Sequence, residues 1–451
     1  MIPKFKYFGF LYDYMKKDVL KRLIVEFHES ELPELIERKI TDVDLETRKI
    51  ISIIGPRRCG KTYYLYYLMK RLIQQGVDKT RLLYVNFEDE RILPFSVKEF
   101  DLILEAYFEL YPENKGEEIY AFFDEIQNVD GWEVAVRRIY DREKMRIFVT
   151  GSSSKLLSKE IATALRGRTI SYELQPFSFL EILTAKGVKI TPDLPYSSKR
   201  FYVKKLLDEY MKFGGFPEVV LEDNENTKIR TLQEYLNTVF FRDLVERYSV
   251  RNTILLKELI RYLVSNISRY FSVSRFYKLA KQNFKVTKRT ILNYCSYLED
   301  VRLILFVKKF GTLKEQMVSP RKVYCIDVGF KTASGFYTSE DYGRVAENLV
   351  FLKLRERQLR DPLMEIYYWK QKHEVDFVVK RGREVEEIIQ VCWDIEEAKE
   401  REIKGLLEAS RFFGIKRGVI VTGDFEGEEE VEGVRIEYIP LWKWLLHFST
   451  V

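Results

Sequence analysis

The chain has few of the residues that build metal centres and disulfide frameworks. Among its 451 residues are four cysteines and three histidines. The cysteines are scattered without a Cys-x-x-Cys pair, which argues against structural zinc and against a disulfide-stabilised fold. The histidines, His28, His373 and His447, are equally isolated, so a histidine-based metal site has little support.

Long apolar runs and an excess of one charge are also missing. No run approaches the ~20 apolar residues of a transmembrane helix, and the first residues lack a signal-peptide core. We therefore expect a cytoplasmic protein that does not contact membranes. Lys and Arg number 75 against 69 Asp and Glu, a balance that permits nucleic-acid binding without arguing for it. The length exceeds that of one hydrophobic core, so two or three domains are expected.

The most informative segment is a loop that contains two glycines. Residues 55–62 read Gly-Pro-Arg-Arg-Cys-Gly-Lys-Thr, between a β-branched apolar run at 50–54 and a helical pattern at 63–69. This pattern between strand and helix is typical of phosphate binding. Lys61 is predicted to reach the β- and γ-phosphates of ATP, and Thr62 to ligate Mg²⁺. The residues expected to surround the nucleotide are Gly55, Pro56, Arg57, Arg58, Cys59, Gly60, Lys61, Thr62 and Tyr63.

A second motif supplies the acids that ATP hydrolysis requires. Residues 119–125 read Ile-Tyr-Ala-Phe-Phe-Asp-Glu, an apolar strand that ends in two carboxylates. Asp124 lies where a Walker B aspartate holds Mg²⁺ through water, and Glu125 lies where a catalytic glutamate polarises the attacking water. The sequence therefore predicts an ATPase that uses Mg²⁺.

Further catalytic candidates follow these acids. Ser152 ends the next strand and is predicted to sense the γ-phosphate, with an ordinary Gly-Ser loop as the alternative. Arg168, or else Arg166, is predicted to supply an arginine finger to a neighbouring subunit, with a surface arginine as the alternative. Arg57 and Arg58 either touch phosphate or a neighbouring subunit or face solvent.

Apolar strands alternate with helices from residue 48 to 185. Such alternation implies a parallel sheet covered on both faces, and right-handed crossovers make the doubly wound α/β form the default. A charged segment, helical at 13–38, precedes this region. The strands are predicted at 50–54, 82–87, 119–124, 146–151 and 169–174.

The second half of the chain begins with helices and then takes the order of a winged helix. Three helical segments, at 255–268, 273–282 and 288–298, precede a hairpin with strands at 303–309 and 322–326. Further on the pattern is mixed α/β, and the acidic run Glu426–Glu430 is predicted to be a solvated turn.

Four polar residues lie at or on the third helix of this winged-helix pattern. They are Lys285, Lys288, Arg289 and Asn293. The module either contacts DNA through them or serves as a lid or a dock for a protein partner. The neighbouring Tyr294 and Tyr297 are expected to be core residues.

Six segments, in this order, resemble the prokaryotic AAA+-like ATPases that are abundant in archaea. They are the loop at 55–62, Val-Asn-Phe-Glu-Asp at 85–89, Phe-Phe-Asp-Glu-Ile-Gln-Asn-Val at 122–129, Thr-Gly-Ser-Ser-Ser at 150–154, Leu-Arg-Gly-Arg at 165–168 and Gly-Gly-Phe-Pro at 214–217. The resemblance implies a P-loop NTPase core with a catalytic glutamate, a winged helix after it and frequent self-association. It also implies a C-terminal α/β domain related to PD-(D/E)XK nucleases, and no known cellular role.

The resemblance to nucleases places Glu347 and Asp376 where such an enzyme holds Mg²⁺. Gln390 and Cys392 occupy the Glu and Lys positions of the motif. Glutamine offers only a neutral oxygen to Mg²⁺, and cysteine does not replace the lysine charge. We therefore expect a domain retained for binding or assembly, with a weak metal site at Glu347 and Asp376 left open.

These patterns predict a chain of five segments. They are an N-terminal helical segment (1–47), an AAA+-like ATPase core (48–185), a helical lid (186–250), a winged helix (251–330) and a PD-(D/E)XK-like domain (331–451). The predicted function is an ATP-hydrolysing switch or motor that forms homo-oligomers, with DNA as a candidate partner of the winged helix or the C-terminal domain. The alternatives are an ATP-regulated DNA-processing nuclease and an ATP-locked oligomeric signalling module.

Overall fold

The computed structural model describes residues 4–38, 43–152, 163–337 and 341–446. For residues 4–13, Ser152 and Glu397 it describes the backbone only. The chain divides into two compact units, Met1–Leu174 and Gln175–Val451. Among the described helices, none is long and apolar enough to cross a bilayer.

The first unit is built on a parallel sheet. Its strands are β1 (Ile50–Gly55), β2 (Leu82–Asn86), β3 (Ile119–Asp124), β4 (Met145–Ser152) and β5 (Thr169–Glu173). They stand in the order β2-β3-β4-β1-β5, and each is parallel to its neighbours. The five predicted strands are confirmed. The carboxyl ends of β1, β3 and β4 therefore meet at one edge of the sheet, where Gly55 and Asp124 come close together.

Helices cover both faces of this sheet. They are α1 (Lys4–Glu29), α2 (Lys61–Gln74), α3 (Phe100–Leu110) and α4 (Trp132–Arg142). Ile50 and Ile54 of β1 pack in a core with α3 and α4, whereas Ile51 and Ile53 pack in a second core with α2. Successive side chains of a strand point to opposite faces, so the predicted two-sided covering is confirmed.

The N-terminal helix differs from its predicted bounds. The expected helix at 13–38 is wrong in both ends, because α1 runs Lys4–Glu29 and residues 31–38 have no regular structure. Pro33 accounts for the second error, since proline and the residue before it disfavour a continuing helix.

The second unit opens with helices and a short hairpin. The helices are α5 (Phe179–Ala185), α6 (Lys199–Phe213), α7 (Pro217–Leu221), α8 (Glu225–Thr238) continued by a π-helical stretch (Val239–Glu246), α9 (Thr253–Ser265), α10 (Val273–Ala280) and α11 (Lys288–Asp300). The strands are β6 (Tyr270–Phe271), β7 (Ile304–Lys309) and β8 (Arg321–Cys325), with α12 (Leu313–Val318) between the last two. The predicted order of three helices and a hairpin is thus present, with β6 and α12 as additions.

The remainder of this unit extends the hairpin into a large mixed sheet. Its elements are α13 (Gly329–Ala333), α14 (Tyr342–Arg360), β9 (Met364–Lys370), β10 (Glu374–Arg381), β11 (Glu384–Cys392), α15 (Ile395–Phe413), β12 (Arg417–Thr422), β13 (Gly427–Val431), β14 (Val434–Pro440) and α16 (Leu441–Leu445). The order is β13-β14-β12-β11-β10-β9-β7-β8-β6. Strand β7 pairs in parallel with β9, so hairpin and C-terminal strands form one sheet.

The acidic run near the C-terminus is a strand and not the predicted turn. Glu428, Glu429 and Glu430 lie in β13, which pairs antiparallel with β14 at the sheet edge. Glu428 forms an ion pair with Arg435 of β14 at 2.8 Å. An edge strand tolerates alternate charged side chains because one of its faces is open to solvent.

The turn of the Gly-Gly-Phe-Pro motif is fastened to a buried carboxylate. The amide of Gly215 donates to Asp327 Oδ2 at 2.7 Å, and the amide of Gly329 donates to Oδ1 at 2.8 Å. Gly214 has a left-handed φ of 75°, and a Cβ atom there would lie 1.6 Å from Asp327 Oδ1. Burial raises the pKa of Asp327 to about 7, against the effect of the amides. The motif therefore closes the α6–α7 turn onto the end of β8.

Candidate active site

The predicted phosphate-binding loop connects the end of β1 to the start of α2. β1 ends at Gly55 and α2 begins at Lys61. A Cβ atom on Gly55 would lie 2.3 Å from the carbonyl oxygen of Leu174, so no larger residue fits where the loop leaves the sheet. Arg58 has a left-handed backbone with φ 65°. The loop thus ends on a helix N-terminus, whose first amides lack partners within the helix and suit a phosphate group.

The ammonium of Lys61 lies inside the loop. The side chain is buried, with 5% of the residue exposed. Its Nζ donates to the carbonyl oxygen of Pro56 at 3.2 Å and lies 3.7 Å from Glu125 Oε1. The predicted phosphate ligand and the predicted catalytic carboxylate are therefore brought together as an ion pair.

Asp124 is the centre of a hydrogen-bond network. It is fully buried and accepts from Thr62 Oγ1 at 2.7 Å, from Tyr84 OH at 3.1 Å and from Thr150 Oγ1. Burial raises the pKa of Asp124, and the hydroxyl donors oppose this effect. The two predicted Mg²⁺ ligands, Thr62 and Asp124, are thus in direct contact. Oxygen ligands of this kind are those that Mg²⁺ prefers, so the pair fits the ion.

Glu125 follows Asp124 in an unusual backbone conformation. Its φ and ψ are 49° and 44°, the left-handed region, which costs about 1–3 kcal/mol for a residue with a side chain. Its amide donates to Thr150 Oγ1 at 2.9 Å, and Gln127 Nε2 donates to its Oε2. This turn directs the carboxylate towards Lys61 and away from the strand.

Several supporting residues were missed by the sequence reasoning. Thr150 lies near the end of β4, and only the position of a hydroxyl residue towards the carboxyl end of a neighbouring strand signals its role. Tyr84 and Gln127 have no such signal. Arg38 precedes β1 in the sequence and is buried, and its Nη1 donates to the carbonyl oxygen of Cys59 at 2.9 Å. The N-terminal segment therefore supports the loop from outside the motif.

Other predicted nucleotide contacts differ in exposure. Cys59 is fully buried, and burial raises the pKa of its thiol, which makes it an inert packing residue. Arg57 is half-buried and Arg58 is exposed. Tyr63 is 58% exposed and meets Tyr66 edge to face, with ring centroids 6.2 Å apart.

The sensor and finger candidates differ in their position relative to the phosphate loop, because the backbone of Ser152 pairs with Gly55 at the start of the loop, whereas Arg168 lies away from it. Ser152 ends β4, but its side chain lies outside the described residues, so its role stays a prediction. Arg168 pairs with Asp141 through Nε at 3.0 Å and Nη2 at 3.1 Å, and its carbonyl accepts from the amide of Ile50 at 2.8 Å. That contact is at the start of β1, about 16 Å along the strand from the loop. Arg168 therefore lies at the amino ends of the strands, at the opposite end of the sheet from its own chain's loop. Neighbouring Arg166 has a left-handed φ of 50°.

A second polar cluster lies in the second unit, around Lys322 of β8. Its Nζ lies 2.6 Å from Asp376 Oδ1, 2.8 Å from Glu374 Oε1 and 3.0 Å from Glu347 Oε1. Lys322 is 2% exposed. Tyr324 OH donates to Glu347 Oε1 at 2.7 Å. The predicted pair Glu347 and Asp376 is thus brought together, but around an internal ammonium.

The charges of this cluster compensate one another. Burial opposes the charge of Lys322, but Asp376 and Glu347 outweigh it and hold the pKa of the ammonium above its usual value. Burial and the charge of Asp376 raise the pKa of Glu347 to about 8. Within the described residues, no group of three or more His, Cys, Asp or Glu side chains is arranged to hold a metal ion.

The remaining predicted nuclease positions are structural. Asp376 donates from its amide to Gln390 Oε1 at 3.0 Å, and its Oδ2 accepts from the amide of Val391 at 2.9 Å. Gln390 Nε2 donates to Glu402, and Cys392 Sγ donates to the carbonyl oxygen of Asp394 at 3.1 Å. Both side chains are therefore engaged within the chain.

Three sequence families match consecutive parts of the chain. A family described as AAA domain matches residues 47–183. Two domains of unknown function follow, DUF8612 at 204–338 and DUF4143 at 342–444.

Two proteins are similar over nearly the whole length. The uncharacterized protein MJ1544 of Methanocaldococcus jannaschii is 37% identical over 443 residues, 96% of each chain. An uncharacterized protein of Haemophilus influenzae is 30% identical over 417 residues, 92% of this chain and 97% of its own. Among solved structures, the Walker-type ATPase PABY2304 of Pyrococcus abyssi aligns over 68% of this chain and 99% of its own, with 14% identity and a TM-score of 0.43.

Proposed function

Because the chain belongs to the family of the uncharacterized protein MJ1544 and carries an AAA P-loop ATPase domain, we propose that it hydrolyses ATP and works as a nucleotide-driven switch or motor. One observation supports the proposal above others. Lys61, Thr62, Asp124 and Glu125 converge at the carboxyl edge of the parallel sheet as two contacting pairs, Thr62 with Asp124 and Lys61 with Glu125. Phosphoryl transfer depends on positioning and on countercharge, and these groups supply both.

Lys61 changes partner when the nucleotide binds. Without phosphate its charge is compensated by Glu125 at 3.7 Å. The phosphates of ATP draw Lys61 towards the loop amides, because a charge-assisted contact to phosphate is stronger than this long ion pair. Glu125 is then free to polarise a water molecule, while Gln127 keeps the carboxylate in place. Nucleotide binding and preparation of the catalytic base are thereby coupled.

Thr62 and Asp124 would hold the Mg²⁺ of the nucleotide. Their oxygens lie 2.7 Å apart, and Thr150 and Tyr84 hold the carboxylate in its orientation. When bound, the ion would neutralise the negative charge that develops on the phosphates.

The alternatives have less support. A DNA-processing nuclease needs carboxylates that accept a metal, and here Lys322 contacts both Glu347 and Asp376. A signalling module that only locks on ATP has no need for a carboxylate held in a strained turn beside the phosphate loop, as Glu125 is.

The proposal is tested by ATP turnover in Mg²⁺ for the wild type and for Glu125→Gln. The variant keeps the shape but loses the basic oxygen, so it should bind ATP and turn over at least ~100-fold slower. Glu113→Gln is the matched control, since Glu113 is exposed in the same unit, and it should retain wild-type turnover. Equal turnover of Glu125→Gln and the wild type would assign the base elsewhere, and no turnover in the wild type would reject the ATPase.

A further inference from the structure

One stretch of the second unit has an unusual charge composition. Residues 259–298 contain no Asp or Glu, where the average composition of the chain gives about six. The same stretch contains eight cations, listed in order as Arg261, Arg269, Arg275, Lys278, Lys281, Lys285, Lys288 and Arg289. The charge balance of the whole chain conceals this local excess.

Six of these cations are exposed on α10, α11 and the turn between them. We call this surface the basic face; its members are Arg275, Lys278, Lys281, Lys285, Lys288 and Arg289. Within the described part of the chain, none of the six forms an ion pair with a carboxylate. Elsewhere exposed lysines and arginines of this protein commonly have such partners, as Lys399 has in Glu429 at 3.0 Å.

The two helices present their charges side by side. Lys281 follows the end of α10 and Lys288 begins α11, yet both ammonium groups lie 5.9 Å from the ring centroid of Tyr277. Because both lie 5.9 Å from the same centroid, the two ammonium groups belong to one small region of the surface, and like charges concentrated in this way attract an anion. The arrangement suits a polyanion with regularly spaced charges.

Helix α11 has the surface of a helix that reads base edges. Its buried side is formed by Ile291, Tyr294, Cys295 and Leu298, and its exposed side by Arg289, Leu292, Asn293 and Ser296. Thr287 caps the N-terminus by accepting from the amide of Thr290 at 3.2 Å. Tyr294 is a buried core residue as expected, whereas Tyr297 is half-buried and stacks on Tyr248 with ring centroids 3.8 Å apart.

We infer that the basic face binds duplex DNA, with α11 in the major groove. The helix is about 20 Å long, and the groove of B-form DNA is about 12 Å wide. Arg289 and Asn293 lie one turn apart, and arginine and asparagine are the side chains that pair with guanine and adenine edges. The remaining cations of the basic face contact phosphates on either side. The narrow major groove of A-form RNA does not admit such a helix.

The experiment measures fluorescence anisotropy of a labelled mixed-sequence DNA of about two helical turns, with the full chain and no nucleotide. ATP is left out so that failure here is separate from failure of the ATPase. Lys281→Ala/Lys288→Ala should weaken binding at least tenfold and lower the slope of log Kd against log salt by about 2. Lys372→Ala/Lys416→Ala is the charge-matched control, since both lysines are exposed in the loops that precede β10 and β12, and it should change the affinity less than twofold.

Arg289→Ala tests the assignment of the groove. It should reduce the preference among DNA sequences, whereas Lys281→Ala should weaken all sequences alike. Equal loss in the control pair would overturn the proposal, as would tighter binding of double-stranded RNA or single-stranded DNA. Binding of phosphatidylserine vesicles or an acidic peptide without binding of the duplex would overturn it in favour of a membrane or a protein partner.

Discussion

The ammonium of Lys61 has two partners within the chain, the carbonyl of Pro56 and the carboxylate of Glu125. At the scale of the residue, the proposed mechanism therefore begins when Lys61 exchanges Glu125 for phosphate as its partner. The contact between Lys61 and Glu125 is long, at 3.7 Å, and a charge-assisted contact with phosphate is the stronger of the two. Lys61 and Lys322, two of the buried lysines of the chain, each give a prediction at this scale.

Lys61→Ala should weaken ATP binding by about 100-fold. The variant loses a charge-assisted contact to the phosphates, and such contacts contribute about 1.5–3 kcal/mol each. Titration calorimetry with ATP and Mg²⁺ measures the effect. Lys70→Ala, in the exposed last part of the same helix, is the control and should bind as the wild type does. Near-normal affinity of Lys61→Ala would reject the phosphate-loop assignment.

Lys322→Met should destabilise the second unit by about 3–5 kcal/mol, because it leaves three carboxylates without their buried counter-ion. The loss should be greater at pH 8 than at pH 5. Carboxylates whose pKa in the folded state lies above the unfolded value bind protons on folding, so their contribution falls as pH rises. Burial already raises the pKa of Glu347 to about 8 with Lys322 present.

Thermal unfolding midpoints at the two pH values measure this effect. Lys370→Met is the matched control, since Lys370 is 48% exposed and lies 3.3 Å from Glu374 of the same cluster. It should change the midpoint little at either pH. A Lys322→Met protein as stable as the control would show that the ammonium does not hold the cluster together.

Prediction of individual residues from the sequence was strongest where the residues of the site lie within one continuous motif. The loop and the two acids lie in short continuous segments, so their roles could be predicted from the sequence without knowledge of their geometry. Lys322 was not found, because it contacts Glu347 and Asp376 from 25 and 54 positions away. In the sequence it is an ordinary lysine of a hairpin strand, and only the folded sheet gives it partners.

At the scale of the element, the α6–α7 turn has the sharpest steric requirement in the second unit. Gly214→Ala should lower the unfolding midpoint by about 5 °C or more, because the new Cβ would enter the carboxylate of Asp327. Gly187→Ala is the control. Gly187 has a similar φ of 72° but no atom within 4 Å of the new Cβ, so only backbone strain of about 1 kcal/mol is expected. Equal shifts in both variants would mean that the contact with Asp327 is not limiting.

Elements with a strong apolar sequence pattern were predicted well, whereas strands that are defined by their pairing with a distant strand were not. The five parallel strands are buried apolar runs, and burial on both faces makes such runs visible in sequence. β13 is an acidic edge strand whose identity depends on β14, and no local pattern distinguishes it from a turn. The parallel pairing of β7 with β9 was also missed, since strand neighbours distant in sequence are not marked locally.

At the scale of the whole molecule, the position of Arg168 bears on assembly. Its residue lies at the edge of the sheet opposite its own phosphate loop, so a role in catalysis requires a second subunit. If subunits exchange, a mixture of Lys61→Ala and Arg168→Ala proteins should recover ATP turnover, because one composite site then has both groups.

Each variant alone should turn over at a small fraction of the wild-type rate, since an arginine finger contributes about 1,000-fold or more. Exchange is followed by fluorescence transfer between labelled subunits, and mass by light scattering with ATP. The control is a mixture of Arg142→Ala and Lys61→Ala proteins. Its turnover should not exceed that of the same amount of Arg142→Ala protein measured alone. No recovery in an exchanging mixture would reject the trans role.

The pairing of β7 with β9 limits where recombination can divide the gene for this chain. Matches to separate families meet at residues 338 and 342, so the region between them looks like a natural point for recombination. A crossover there would separate two strands of one sheet and leave an unpaired edge on each product, an open template for aggregation. It would also part Lys322 from its three carboxylates. Gln175–Val451 is therefore expected to pass between genomes as a single cassette, while the ATPase unit before it is the part that can be exchanged.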